Sequence, residues 1–190
     1  MNKNLRVPYG LSVHGSDEIR AVTKVLKSST QMGKNVSIFE KKISKLFDKR
    51  YGLMVNSGSS ALLLAMETLD FPPGSEIITP ALTFSTTVGY IVKNNWTPVF
   101  VDVEEGTYCI NESKIKNLIT KKTKAVVAPH LMGNIVNWDR VAPVLKKKGI
   151  LIIEDSADTL GATYKKKSTG HHADISITSF YGSHIINCAG

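Results

Sequence analysis

The chain has 190 residues, 42% of them hydrophobic, which is ample for one packed core, whether a whole domain or a piece of a larger one. Aromatic content of 7% and charged content of 21% are ordinary for a soluble globular protein, and no apolar run reaches the length of a membrane span. The net charge of +8 comes mostly from lysine, 20 of the 24 basic residues, in runs such as Lys146–Lys148 and Lys165–Lys167 that read as solvated surface rather than a nucleic-acid site.

Elements follow in chain order. "GSDEIRAVTKVLKSS" predicts a helix capped by Ser16, with Ile19, Val22, Val25 and Leu26 as its apolar stripe. Ser37 to Glu40 reads as a capping box, opening a helix that buries Phe39, Ile43, Leu46 and Phe47. After this helical segment of about 1–50, strands and helices alternate. "YGLMV" is a strand and "SSALLLAMETL" a helix; "EIITP" is a strand and Phe84–Asn94 a helix. "PVFVDV" precedes a helix capped by Asn111, and "AVVAPH" precedes the helix "NWDRVAPVLKKKG". "ILIIEDSA" and "DISITSF" are the last strands. Short β-branched strands between helices predict an α/β fold: a three-layer α/β/α sandwich around a mostly parallel sheet.

The N-terminus lacks the apolar segment of a secretory signal, and Cys109 and Cys188 show no paired spacing, which together point to a reducing cytoplasm. Ligands of such sheets gather at the carboxyl ends of the strands. The residues placed there are Asn56–Ser60, Pro80–Phe84, Asp102, His130, Asp155 and Ser179–His184.

Ser57, Gly58, Ser59 and Ser60 lie between a strand and a helix. A glycine, free helix-start N–H groups and hydroxyls suit a phosphate, although an ordinary N-cap would look the same. Neither a P-loop nor a dinucleotide fingerprint is present. Glu154 and Asp155 end a strand, with Asp158 after them, and one of these acids could hold a proton on a pyridine-type nitrogen. The alternatives are a helix cap, or a metal site with His171 and His172. Phe84 is either a core residue or a ring that stacks on a planar cofactor. His130 is either a structural hydrogen-bonder or a site residue.

In order, "NSGSSALLLA", "PALTFSTTVGYIVKNNWTPVFVDVEEGTY", "PHLMGN", "IIEDSADTLGATYKKKSTGHHADISITSF" and the closing loop resemble the large domain of the sugar aminotransferase family (DegT/DnrJ/EryC1/StrS), from about Gly10 to the last residue. The resemblance implies fold type I, a pyridoxal 5′-phosphate or pyridoxamine 5′-phosphate cofactor, and residues 1–190 as a partial large domain, with the rest of that domain and a small domain absent. It implies that Gly58, Ser59, Ser60 and Ser179 hold the cofactor phosphate, Phe84 stacks on the ring, Asp155 pairs with the ring nitrogen, and Asp158 lies near the ring hydroxyl.

The closing motif departs from the family. Where the aminotransferases read roughly S-F-x-x-x-K, the count from Ser179 and Phe180 lands on His184, which has no amine to join the cofactor. Histidine with Asp158 upstream is similar to the branch of dehydratases that remove the 3-hydroxyl of a nucleotide-linked 4-keto-6-deoxyhexose in deoxysugar and lipopolysaccharide O-antigen biosynthesis. With an unperturbed pKa of about 6.5, histidine can act as both base and acid. Within that branch, the iron–sulfur type reads E-D-C-C-D. The sequence Glu154-Asp155-Ser156-Ala157-Asp158 lacks those thiolates, which favours the metal-free, glutamate-dependent type, while "TFSTT" resembles the cluster type; either acts on a nucleotide-diphosphate sugar and is homodimeric when complete. The alternatives are an aminotransferase with an unconventional lysine, and a non-catalytic fragment.

Overall fold

A computed structural model describes residues 6–188. In chain order it contains α1 (Ser16–Ser28), α2 (Lys34–Leu46), α3 (Gly58–Glu67), β1 (Glu76–Pro80), α4 (Ser85–Lys93), β2 (Thr97–Val101), α5 (Glu112–Leu118), β3 (Thr123–Pro129), α6 (Ala142–Lys147), β4 (Leu151–Asp155), β5 (Thr163–Tyr164), β6 (Lys167–Ser168) and β7 (Ile175–Ile177). Five of the strands form one sheet in the order β2-β1-β3-β4-β7, with every pairing parallel, as expected from the alternation of strands and helices.

Alternation along the strands builds the two faces. Ala125, Val127 and Ile153 join Leu62 and Met66 of α3 and Ile91 of α4 in one apolar layer. Val126, Ala128 and Ile152 join Ile115 of α5 and Leu145 of α6 in the other. Each of the larger side chains, Val, Leu, Ile or Met, contributes about 1.5–3 kcal/mol when fully withdrawn from water. The layers account for the α/β/α sandwich.

β1 and β3 both end in proline. Proline offers no N–H to continue a ladder, so the chain leaves the sheet at Pro80 and Pro129 and turns into loops. From β1 the connection runs to β2 on one side, and from the adjacent β3 to β4 on the other. The crevice outside the carboxyl ends of β1 and β3 is therefore a topological switch point.

The local chemistry moves several predicted boundaries. Gly15, not Ser16, is the N-cap of α1, and its N–H donates to Glu18 Oε2 at 2.7 Å. The apolar stripe of α1 does form, but Ile19, Val22 and Leu26 are 58–67% exposed. Ser37 lies inside α2, whose N-cap is Gly33, so Ser37–Glu40 is not a capping box; Glu40 instead accepts from the N–H of Met54 at 2.8 Å. Leu46 is exposed while Phe47 is buried.

The same contact explains residues 51–55, which are not a strand. They lie against α2, where a Cβ on Gly52 would sit 2.8 Å from the carbonyl oxygen of Glu40, and no described strand pairs with them. The helix expected over 137–149 is broken by the chain turning at Val141 ahead of Pro143. A short turn at Trp138–Arg140 precedes α6. Lys165 and Lys166, at positive φ, form the two-residue turn of the β5–β6 hairpin.

Two glycines give opposite expectations. A Cβ on Gly170 would fall 2.0 Å from the carbonyl oxygen of Phe47, so Gly170→Ala should cost on the order of 3 kcal/mol. Gly89 is exposed within α4 with open space around it, so Gly89→Ala should stabilise by about 0.5–1 kcal/mol. Urea midpoints of the two variants against the parent measure both.

Candidate functional site

The start of α3 is shaped by one serine and one glycine. The Ser57 hydroxyl accepts from the N–H of Ser60 at 3.1 Å and donates to the Ser60 hydroxyl at 3.0 Å. The N–H groups of Gly58 and Ser59 have no intrahelical acceptor and point outward at the positive end of the helix. A Cβ on Gly58 would lie 2.8 Å from the Cβ of Ser179. Glycine therefore lets the helix start approach the segment that follows β7, and the two together form a cup. Gly58, Ser59 and Ser179 line a cavity of about 930 Å³, within the range of small-molecule sites. Ser60 is not among the lining residues; its hydroxyl accepts from that of Ser57, which is.

Phe84 is the N-cap of α4, 65% exposed, and lines the cavity beside Leu82 and Thr83. It is not a core residue. Asp155 ends β4. Strand alternation turns it to the face of Ile153 and α3, and turns Glu154 to the opposite face. Its Oδ1 accepts from the N–H of Ala157 at 3.0 Å. Burial pushes its carboxyl above the ordinary range, the Ala157 N–H opposes this, and the nearby Asp158 adds to it.

Asp158 Oδ2 accepts from the N–H of Met132 at 3.0 Å, and Oδ1 lies 3.8 Å from Nε2 of His184. The His184 side chain is 19% exposed. Its Nδ1 is buried without a protein partner, and its ring meets Tyr181 edge-on at 5.9 Å. The closing loop is held by the N-terminal part of the chain: Gly10 packs on Ser183, His14 Nε2 lies 3.0 Å from Asn187 Oδ1, and the tilted rings of Phe39 and Phe180 meet at 4.9 Å.

The structure thus brings Gly58, Ser59, Phe84, Asp155, Asp158, Ser179 and His184 to one cavity. Asp102 is not among them. It is exposed and pairs with Lys114 at 3.3 Å. His171 and His172 pair with Asp48 and Asp139 rather than with the acids of β4. His130 is buried against Glu154. Sequence reasoning missed Met132, which reaches the site through its backbone. The signal for it was the Met132-Gly133 pair directly after a strand, both at positive φ. It also missed Lys49, the only lysine lining the cavity among the described residues. Its amine donates to the carbonyls of Gly170 (2.7 Å) and Ala173.

The chain belongs to the DegT/DnrJ/EryC1/StrS aminotransferase family, whose sequence profile matches residues 13–190. It is 37% identical over 94% of its length to a dTDP-4-dehydro-2,6-dideoxy-D-glucose 3-dehydratase of Saccharopolyspora spinosa, covering 40% of that protein. It is 34% identical over 83% of its length to a GDP-perosamine synthase of Caulobacter vibrioides, covering 42% of it. A solved GDP-4-keto-6-deoxymannose-3-dehydratase with a trapped PLP–glutamate geminal diamine superposes with a TM-score of 0.90 at 31% identity, over 96% of this chain and 49% of that one. The chain therefore spans two fifths to half of the relatives it matches. The family depends on pyridoxal phosphate and modifies sugars. The cup, the exposed aromatic ring and the half-buried carboxylate fit that cofactor's phosphate, ring face and ring nitrogen.

Two tests follow. Gly58→Ala should close the cup and weaken binding of pyridoxamine phosphate at least about tenfold without unfolding the chain, as read by absorbance titration and circular dichroism. Because the pKa of Asp155 is raised on folding, its protonated form favours the folded state. That contribution is full below the unfolded value of about 3.9 and is lost as pH rises through the folded one. Asp155→Asn should therefore stabilise the ligand-free chain at pH 7.5, and the gain should vanish near pH 3.5, as read by urea unfolding.

Proposed function

We propose that this chain is the cofactor-binding part of a pyridoxamine-phosphate-dependent enzyme that removes the 3-hydroxyl of a nucleotide-linked 4-keto-6-deoxyhexose. The observation that carries this reading is an imidazole, His184, facing Asp158 at the cavity wall beside Asp155, in the place where the family's aminotransferases have a lysine.

The N–H groups of Gly58 and Ser59 and the hydroxyl of Ser179 bind the phosphate, with Ser60 bracing the cup through Ser57. Phe84 covers one face of the ring. Asp155 holds a proton on the ring nitrogen, and that new partner offsets the cost of its burial. When bound, the cofactor supplies an electron sink for the carbon joined to its amine. Asp158, acceptor-only when ionised, faces Nε2 of His184 across 3.8 Å and favours a cationic imidazole there. The His184 imidazole lines the cavity and is the base of the site. It takes the proton from the reacting carbon and delivers it to the departing hydroxyl at C3, so one group serves as base and then acid. Tyr181 limits the swing of the ring.

The glutamate adduct in the solved relative supports glutamate as the amine donor. Ser156 and Ala157 at the end of β4 offer no thiolate to a cluster, in keeping with the metal-free type. We place the reaction in the cytoplasm, in a homodimer. No helix among the described residues is long and apolar enough to cross a membrane.

The second reading, an aminotransferase, is kept by Lys49. Burial lowers the pKa of its amine, which favours the nucleophilic form. Reduction of the pyridoxal-phosphate complex with borohydride separates the two. The dehydratase reading expects no covalent mass addition to the parent chain and a stable addition in His184→Lys. Addition to the parent that disappears in Lys49→Met would make it an aminotransferase. In the active enzyme, His184→Asn should lower C3 deoxygenation by about 10²–10⁴-fold while pyridoxamine phosphate still binds.

A further inference from the structure

The proposed chemistry leaves two fully buried polar side chains without a role. His130 follows β3 and Glu154 is the penultimate residue of the adjacent β4, and both side chains are 0% exposed. His130 Nδ1 accepts from the backbone N–H of Val136 at 3.0 Å, so that nitrogen carries no proton. The ring proton is therefore on Nε2, which donates to Glu154 Oε2 at 3.2 Å. The other oxygen of Glu154 accepts from the Ser156 hydroxyl at 3.2 Å. Two apolar side chains could fill the same space without the desolvation cost of a carboxylate. They could not accept the N–H of Val136.

That bond pins the far end of a turn whose near end is His130, where the backbone N–H donates to the Asp155 carbonyl at 2.8 Å. Between the two pins the chain passes through Met132 at φ 54° and Gly133 at φ 82°. A left-handed methionine is a strained conformation that its surroundings must hold. Its result is that the Met132 N–H points at Asp158 Oδ2, 3.0 Å away, while the other oxygen of Asp158 faces His184.

We propose that the buried His130–Glu154 pair is a positioning device, which folds the turn 131–136 so that the Met132 N–H holds Asp158 opposite the His184 imidazole. Its catalytic meaning rests on the reading of His184 as the proton-transfer group. The positioning itself is a statement about structure and is tested without turnover.

In the ¹⁵N-labelled chain, long-range imidazole spectra are expected to show His130 protonated at Nε2 and bare at Nδ1. Glu154→Leu removes the acceptor and should speed hydrogen exchange of the Met132 amide at least about tenfold and move the ring resonances of His184. Glu154→Gln keeps a carbonyl acceptor and should leave both close to the parent. A proton on His130 Nδ1 overturns the proposal. So does a folded Glu154→Leu chain with unchanged Met132 exchange and His184 resonances, or a Glu154→Gln chain that loses both. Should Glu154→Leu not fold, the His130 tautomer and the Glu154→Gln spectra decide alone. Failure of the dehydratase reading would appear in the borohydride and deoxygenation assays and would leave these spectra as expected.

Discussion

The register in which three parallel strands stop is the constraint on which the site depends. Pro129, Asp155 and Ile177 lie side by side at the ends of β3, β4 and β7. Because side chains alternate, this alignment fixes which carboxylate faces α3. A slip of one residue in β4 would send Glu154 toward the cup and Asp155 into the opposite layer, exchanging the roles of the two neighbours. The register is held by apolar residues on both faces of β3 and β4, and at the edge by Asp174, whose carboxylate accepts from the Ile152 N–H at 2.8 Å. The chemistry of the site thus inherits its precision from the core.

A second consequence of the parallel sheet is that the strand ends open onto helix starts. α3 brings its unsatisfied N–H groups to the same edge, and Gly58 removes the side chain that would keep them from Ser179. Part of the site is costly without a ligand. Asp155 is half-buried without a countercharge strong enough to hold its pKa down, and the Nδ1 of His184 and the Ser176 hydroxyl on the cavity wall are buried without partners. An unpartnered buried polar group costs about 1–3 kcal/mol. A ligand carrying a phosphate and a basic ring nitrogen would relieve the carboxylate and meet the helix N-terminus together.

Much of this was legible in the sequence, and the reason is local. Strands rich in Val and Ile, ended by Pro80 and Pro129, announce a parallel sheet and mark where its loops begin. Ser57-Gly58 announces a capped helix with an open start. What was not legible depends on contacts far apart in the chain. Residues 51–55 have the composition of a strand, but they are held against α2 by Glu40. Asp102 follows a strand like Asp155 does, yet β2 is the edge strand and its loop turns to Lys114. Three acids within five residues of β4 could not be told apart until alternation and partners separated them: Glu154 to His130, Asp155 to the cup, Asp158 to Met132 and His184. The resemblance to the family located His184 by counting from Ser179, whereas spacing alone offered only a loop histidine.

His184 is also fixed from two directions that are remote in sequence. From the sheet side, the turn 131–136 presents an N–H to Asp158, which faces one ring nitrogen. From the N-terminal side, Gly10 lies so close to Ser183 that a Cβ there would be 3.1 Å from its Cα, and His14 reaches Asn187. The closing loop therefore cannot be understood from its own residues. Its backbone is a surface turn, with the His184 N–H donating to the Tyr181 carbonyl at 2.9 Å, and such a turn alone would let the ring sample several rotamers. Clamping it between the N-terminal segment and Asp158 restricts that freedom. A group that must both take and give a proton gains from this, since each transfer demands a donor–acceptor distance near 3 Å at a defined angle.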